Sequence, residues 1–396
     1  MDLKPATATA MQVVAKLPTV LVATWFVVFP RGGLNTQGGE FPARTPGQVS
    51  YNVREDDEAI HIETPLLQAA VRKKGYVSGV AAQSFVDKKT GFRDPGFGLD
   101  IVDWIMEPGS DEAYRDQIAH TDLVYEFNNL VHGRRPKRSI EGPQICTRAR
   151  ELRPEVIRGP DFVAVKQQFV YQIAAPGRKS GSTWTQILVF PCNTRYFFSM
   201  DRIDSINESE AMFLRIDMPG HIRHKNGDTF SEIYLSYRGF IPASEFVKDF
   251  PPDEKFDYLR GRDPTPERFI RACRLRNPET AALGPWLAGI VLDPSVVCEA
   301  WCHQRGYVCM ILEFGGRPIK PGESFQAAFI IGYFDSVEEM HEVADRYRGF
   351  TGIEVTSEGW RLVPYRGWVL PPAAARPAKV SNLKLARTCI AILVAK

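Results

Sequence analysis

No Cys-x-x-Cys pair occurs among the seven cysteines of this 396-residue chain, and the odd count leaves at least one thiol unpaired. Such usage argues against a zinc ribbon or a disulfide scaffold. Charge of one sign is lacking too. Lys and Arg total 49 against 47 Asp and Glu, a net charge of +2, so there is no broad electrostatic case for nucleic acid. No run reaches the roughly 18 to 20 apolar residues that span a bilayer, and stable membrane insertion is not expected. No glycine-rich phosphate loop opens a helix, and no nucleophile elbow is present. "GFGLD" (96–100) has the glycines of a dinucleotide fingerprint but lies among strands with no helix pattern after it.

A short apolar stretch near the start, "LPTVLVATWFVVFP" (17–30), follows Lys4 and Lys16 and precedes Arg31. Residues 1–30 read as a signal peptide, which would make the chain secreted or periplasmic. The alternative is a buried strand in a cytoplasmic protein. Residues 31–60 are polar and glycine-rich, in the manner of a linker or lead-in. From about 61 to 360 the pattern is one of strands. "AMFLRIDM" (211–218) sets Met212, Leu214 and Ile216 on one face, with Arg215 and Asp217 on the other. "FSEIYLSY" (230–237), "PWLAGIVL" (285–292), "VVCEAWCH" (296–303), "YVCMILEF" (307–314) and "SFQAAFIIGYF" (324–334) follow, separated by Gly, Pro, Asn and Asp. That is the signature of an all-β chain with antiparallel sheets. One helix is predicted near 336–349, where Ser336 and Glu339 form a capping box and Gly349 stands at the C-cap position. His341 falls on its outer side. Residues 361–396 form a tail that the pattern leaves unassigned.

Three polar groups stand out. In "MPGHIRHKNGDTF" (218–230), two strand patterns predict a connecting hairpin, with His221 and Arg223 sharing one face. "NNLVHGRRPKR" (128–138) carries His132, Arg134, Arg135, Lys137 and Arg138, a dense cationic loop suited to carboxylate or sulfate groups. In "CEAWCHQRGYVC" (298–309), alternation puts Glu299, Trp301 and His303 on one face. An indole beside a carboxylate and an imidazole suits a sugar ring. A three-residue turn there would pair Trp301 with Cys309, and a two-residue turn Cys302 with Cys309. Asn207-Glu208-Ser209 is a glycosylation sequon.

Two stretches carry a resemblance. "ETPLLQAAVRKKGYVSGVAAQSFVDKKTGFRD" (63–94), with its turn at Asp87 to Gly91, and "GGRPIKPGESFQAAFIIGYFDS" (315–336), with its turn at Pro321 to Ser324, resemble the opening and closing strands of galactose-mutarotase-like domains. The resemblance implies an antiparallel β-supersandwich over about 61–350 and a carbohydrate ligand. It does not reproduce the Asn-His pair, second His and late Glu of the epimerases. The reading that follows is a carbohydrate-active protein binding an acidic glycan. If it is an enzyme, the foremost reaction is β-elimination as in a polysaccharide lyase. Aldose epimerisation or glycoside hydrolysis, with Glu299 or Glu313 at the centre of the pocket, is the alternative, and a non-catalytic sugar-binding module the third. Expected acid–base residues are His132, His221, His303 and Tyr234. Arg134, Arg135, Arg215, Arg223, Glu299 and Trp301 are expected to hold substrate. No cofactor is expected; calcium fits such folds but has no locatable ligand set here.

Overall fold

The computed structural model describes residues 51–124 and 135–364, all within one compact unit that spans Gly38–Lys396. The apolar N-terminal run, the segment with His132 and Arg134, and the tail beyond 364 lie outside the described residues, while the first residues of the stretch left unassigned belong to a strand, Trp360–Val363, paired with Gly352–Val355.

Alternation along the strands builds two large antiparallel sheets. The first has eight strands, in the order Ile173–Ala174, Lys137–Gly142, Gly98–Pro108, Ser209–Arg223, Tyr307–Ile319, Val297–Gln304 and Tyr258–Leu259, with Val80–Ala81 also paired to Gly98–Pro108. The second has nine, from Gly239–Pro242 through Phe230–Leu235, Phe269–Arg276, Leu283–Val291, Ser324–Phe334, Tyr196–Asp204, Thr183–Pro191 and Phe162–Val170 to Glu155–Arg158. A four-stranded sheet begins at Asn52–Glu55, so strands start inside the stretch whose composition suggests a linker. Side chains at every second position of the two large sheets meet between them. Leu214, Ile216, Met310 and Leu312 of the first and Leu188, Phe197, Leu287 and Phe329 of the second share one core. Each such side chain, fully buried, contributes about 1.5–3 kcal/mol.

The antiparallel all-β architecture agrees with the sequence, and so does the helix. Val337–Arg346 is capped by Ser336, whose side chain accepts from the Glu339 amide at 3.2 Å. Val337, Met340, Val343 and Ala344 bury against the outer face of the nine-stranded sheet. Both motif turns form: the Gly91 amide donates to Asp87 O at 2.8 Å, and the Glu323 amide to Lys320 O at 3.0 Å.

Two expectations fail for identifiable reasons. Residues 218–230 are not a hairpin. The strand runs on from Ser209 to Arg223, then the chain turns at 224–229 and enters the other sheet at Phe230. Pro219 is tolerated because the ladder is irregular there, with register shifts between Asp217 and His221. The hairpin of Val297–Gln304 and Tyr307–Ile319 takes neither expected register. His303 faces Cys309 and Cys302 faces Met310, around a turn with Gly306 at φ +77°. No disulfide joins the described cysteines. The sequon is equally closed: Asn207 is buried, and its amide nitrogen donates to Glu141 Oε1 at 2.8 Å and Lys179 O at 2.7 Å.

Candidate functional site

The face of the eight-stranded sheet turned away from the core carries an uncommon load of charge. Alternation accounts for most of it. Phe213, Arg215 and Asp217 face outward from one strand, Cys309, Ile311 and Glu313 from the next, and Glu299, Trp301 and His303 from a third. A bulge supplies one residue more. Asp103 and Trp104 together oppose the single Arg215, so the ladder slips between Leu214 and Ile216. Asp103 and Trp104 follow each other on the same face.

One half of this face is an ion lattice. Lys137 Nζ lies 2.7 Å from Glu313 Oε2 and 2.9 Å from Glu299 Oε2, and Arg215 Nη2 lies 2.6 Å from Glu313 Oε1. Arg135 reaches Glu299 Oε1 at 3.1 Å and Asp257 Oδ2 at 2.8 Å. Trp301 roofs the lattice, with Lys137 Nζ 4.3 Å from its ring, and its indole nitrogen donates to His303 Nδ1 at 3.0 Å. Lys137, Arg215, Glu299, Glu313, Trp301 and His303 are all buried. Burial raises the Glu299 carboxyl above its ordinary range even with Lys137 and Arg135 opposing it.

The other half holds a histidine among buried carboxylates. His221 Nε2 stands 3.0 Å from Asp217 Oδ1, with 11% of the imidazole side chain exposed and 2% of the carboxylate. Burial works against charge on His221, yet Asp217 outweighs it, and the imidazole stays protonated well above its ordinary range. Asp103 Oδ1 accepts from Gln144 Nε2 at 2.7 Å and from the Cys146 thiol at 3.4 Å. Burial, then the Asp217 carboxylate, push the Asp103 carboxyl up to about 7, against Arg215, Gln144 and His221. Two half-buried rings flank the imidazole, Phe97 at 5.7 Å and Tyr307 at 5.3 Å between centroids. Arg223, exposed, stacks over Phe97 at 3.8 Å.

Of the residues expected from sequence, Arg135, Arg215, Arg223, His221, Glu299, Trp301 and His303 come to this one face. Tyr234 does not. It lies on the outer face of the nine-stranded sheet, where its hydroxyl meets His341 Nε2 at 2.9 Å, so neither Tyr234 nor His341 is placed as expected. Strand alternation gives the face of a sheet but not which sheet. Arg135 and Arg215, expected to grip a glycan carboxylate, already face carboxylates of the chain itself. Sequence reading missed Asp103, Asp217 and Tyr307 as site residues. An aspartate inside the apolar run "LDIVDWIM" (99–106) is the signal that could have raised the first.

The fold and this face together define an antiparallel two-sheet β-sandwich with a buried polar row across its eight-stranded sheet. Similar solved structures include galactose 1-epimerase from Lactobacillus acidophilus NCFM, at 9% identity, 73% of this chain and 99% of that one, with TM-score 0.38. A galactose mutarotase-like protein from Clostridium acetobutylicum shows 9% identity over 73% of this chain and 99% of that one, with TM-score 0.40. The GH36 α-galactosidase of Geobacillus stearothermophilus, solved with stachyose, shows 11% identity over 76% of this chain and 44% of that one, with TM-score 0.34. No protein-family model matches the sequence, and no curated protein matches it.

Proposed function

We propose that the chain binds a sugar on the outer face of its eight-stranded sheet and moves protons on it, as an aldose 1-epimerase does. The observation that carries this reading is the juxtaposition of the His221–Asp217 pair, flanked by two half-buried rings, with the neighbouring Asp103 carboxyl on the same face. Anomer exchange needs two groups in opposite protonation states. Asp103 as carboxylate takes the proton from the anomeric hydroxyl, and His221 as imidazolium gives its proton to the ring oxygen. The ring bond then breaks, C1 turns, and the same two transfers in reverse close the other anomer. Asp217 holds the imidazolium charge throughout. Phe97 and Tyr307 offer apolar faces to the C–H side of a pyranose.

β-Elimination on a uronate is supported less well. It needs a cation at the sugar carboxylate, and Arg135 and Arg215 are engaged by Asp257, Glu299 and Glu313. Polarimetry on freshly dissolved aldoses provides the test. The expected result is exchange faster than the spontaneous rate, rising with pH through about 7 as Asp103 ionises and falling as His221 loses its proton in alkali. Asp103→Asn and His221→Gln should each lower it by roughly 10²- to 10⁴-fold. No acceleration with any aldose, or a new ultraviolet absorbance with a uronate polymer, would refute the reading.

A further inference from the structure

We propose that Arg271, which belongs to the opposite sheet, is a positioning residue for the His221–Asp217 pair, acting through the backbones of the three strands that carry the site. The inference deepens the proton-transfer reading and rests on it for its kinetic consequence, though its geometry does not.

Arg271 points from Phe269–Arg276 into the space between the sheets and is fully buried. A buried guanidinium needs compensation, commonly a carboxylate. None pairs with it among the described residues. Its oxygen partners are instead main-chain carbonyls of the eight-stranded sheet: Nη1 donates to Met218 O at 3.1 Å and Ile311 O at 2.6 Å, and Nη2 to Trp301 O at 2.6 Å and also to Cys302 Sγ at 3.7 Å. These three carbonyls lie on adjacent strands. Met218 falls between Asp217 and His221, where the register slips and regular ladder bonds are interrupted. Ile311 falls between Cys309 and Glu313, and Trp301 stands two residues before His303. One planar fork thus ties the backbone beneath the acid–base half of the site to that beneath the ion lattice. A lysine ammonium, with a single nitrogen, cannot span all three positions.

The same segment is gripped at other points. Gly289, the cross-strand partner of Arg271, approaches so closely that a Cβ there would sit 2.0 Å from Met218 Sδ and 3.0 Å from Pro219 N. A Cβ on Gly96 would lie 1.9 Å from His221 O, and one on Gly220 would lie 2.2 Å from Gly98 O. Glycine at these positions lets the irregular stretch 217–221 settle at one depth between its neighbours. Arg271 then holds it there.

The test is an NMR titration of the His221 imidazole, which faces Asp217, Cys309, Tyr307 and Asp103, in the full chain and in Arg271→Lys, Arg271→Met and Gly289→Ala. Val343→Ala, on the buried face of the distant helix, serves as a control that loses stability without touching the site. In folded Arg271 and Gly289 variants the midpoint should fall toward the ordinary histidine value by roughly one pH unit or more as the Asp217 contact loosens. The aldose exchange rate should fall roughly tenfold to hundredfold in kcat with little change in KM, Arg271→Lys keeping more of it than Arg271→Met. The control should leave the midpoint in place. A folded Arg271→Lys with an unshifted midpoint, or an equal shift in Val343→Ala, overturns the proposal. If neither Arg271 variant folds, an unshifted midpoint in Gly289→Ala overturns it. Failure of the unaltered chain to act on any aldose refutes the proposed function and leaves this result standing.

Discussion

Lys137 stands between two buried carboxylates, 2.7 Å from one and 2.9 Å from the other. Removing the ammonium leaves both partners with less compensation in a site that water barely reaches. Breaking a buried ion pair on one side costs about 3–5 kcal/mol, and Lys137→Met should lose about that in urea denaturation. Glu299→Gln added to it should recover part of the loss, because one orphaned charge is then removed. An undiminished midpoint in Lys137→Met would show the lattice to be energetically idle. At this scale the sequence was legible wherever the chain keeps the two-residue period. Arg215, Glu299, Trp301 and His303 follow from alternation alone. Asp103 did not, because a bulge decides its face and a bulge depends on the partner strand.

The helix Val337–Arg346 shows how an element can be read from local sequence alone. Its cap, buried stripe and end are all written in consecutive residues. Ser336→Ala should cost about 1 kcal/mol in thermal or urea unfolding. It should leave aldose exchange unchanged, since the helix covers the outer face of the other sheet. A loss of exchange at full folding would mean the two faces are coupled in a way the geometry does not show. Tyr234 illustrates the reverse. Its strand is plain in the sequence, yet membership of the nine-stranded sheet places its hydroxyl against His341, away from His221. The stretch 218–230 is a similar case. Two strand patterns with turn residues between them look like a hairpin, and only the pairing partners reveal a crossing between sheets.

Across the described molecule, a group of buried aspartates responds to pH in one direction. Burial raises Asp94 to about 6 and Asp100 to about 7, and Asp103 reaches about 7. Asp201 is raised by burial and then by the neighbouring Asp100 carboxylate. Asp100 and Asp201 lie between the sheets, where Gln186 Nε2 donates to Asp100 Oδ2 at 3.1 Å and to Asp201 Oδ1 at 3.2 Å. Each of these carboxyls keeps its proton in the fold at a pH where the unfolded chain, at an ordinary value near 4, has released it. Their stability contribution is therefore complete below about pH 4 and is lost as pH rises toward about 7. His221, raised in the fold, acts in the same direction above its ordinary value near 6.5. The urea midpoint should be lower at pH 8 than at pH 5, with Asp201→Asn flattening the difference. An equal or higher midpoint at pH 8 would contradict this assignment.

By itself the sequence determined that this chain forms antiparallel strands, where the helix Val337–Arg346 is capped, and which side chains share a strand face. Those properties depend on local periodicity and turn chemistry, which neighbouring residues specify. Tertiary structure alone decided which strands lie side by side, where ladders slip, and therefore that Asp103 joins His221 while Tyr234 leaves it. It also decided that the expected substrate arginines are taken up by internal carboxylates and that Arg271 reaches across to the opposite sheet. Pairing between segments a hundred residues apart is a property of the whole packed core, and no window of sequence contains it.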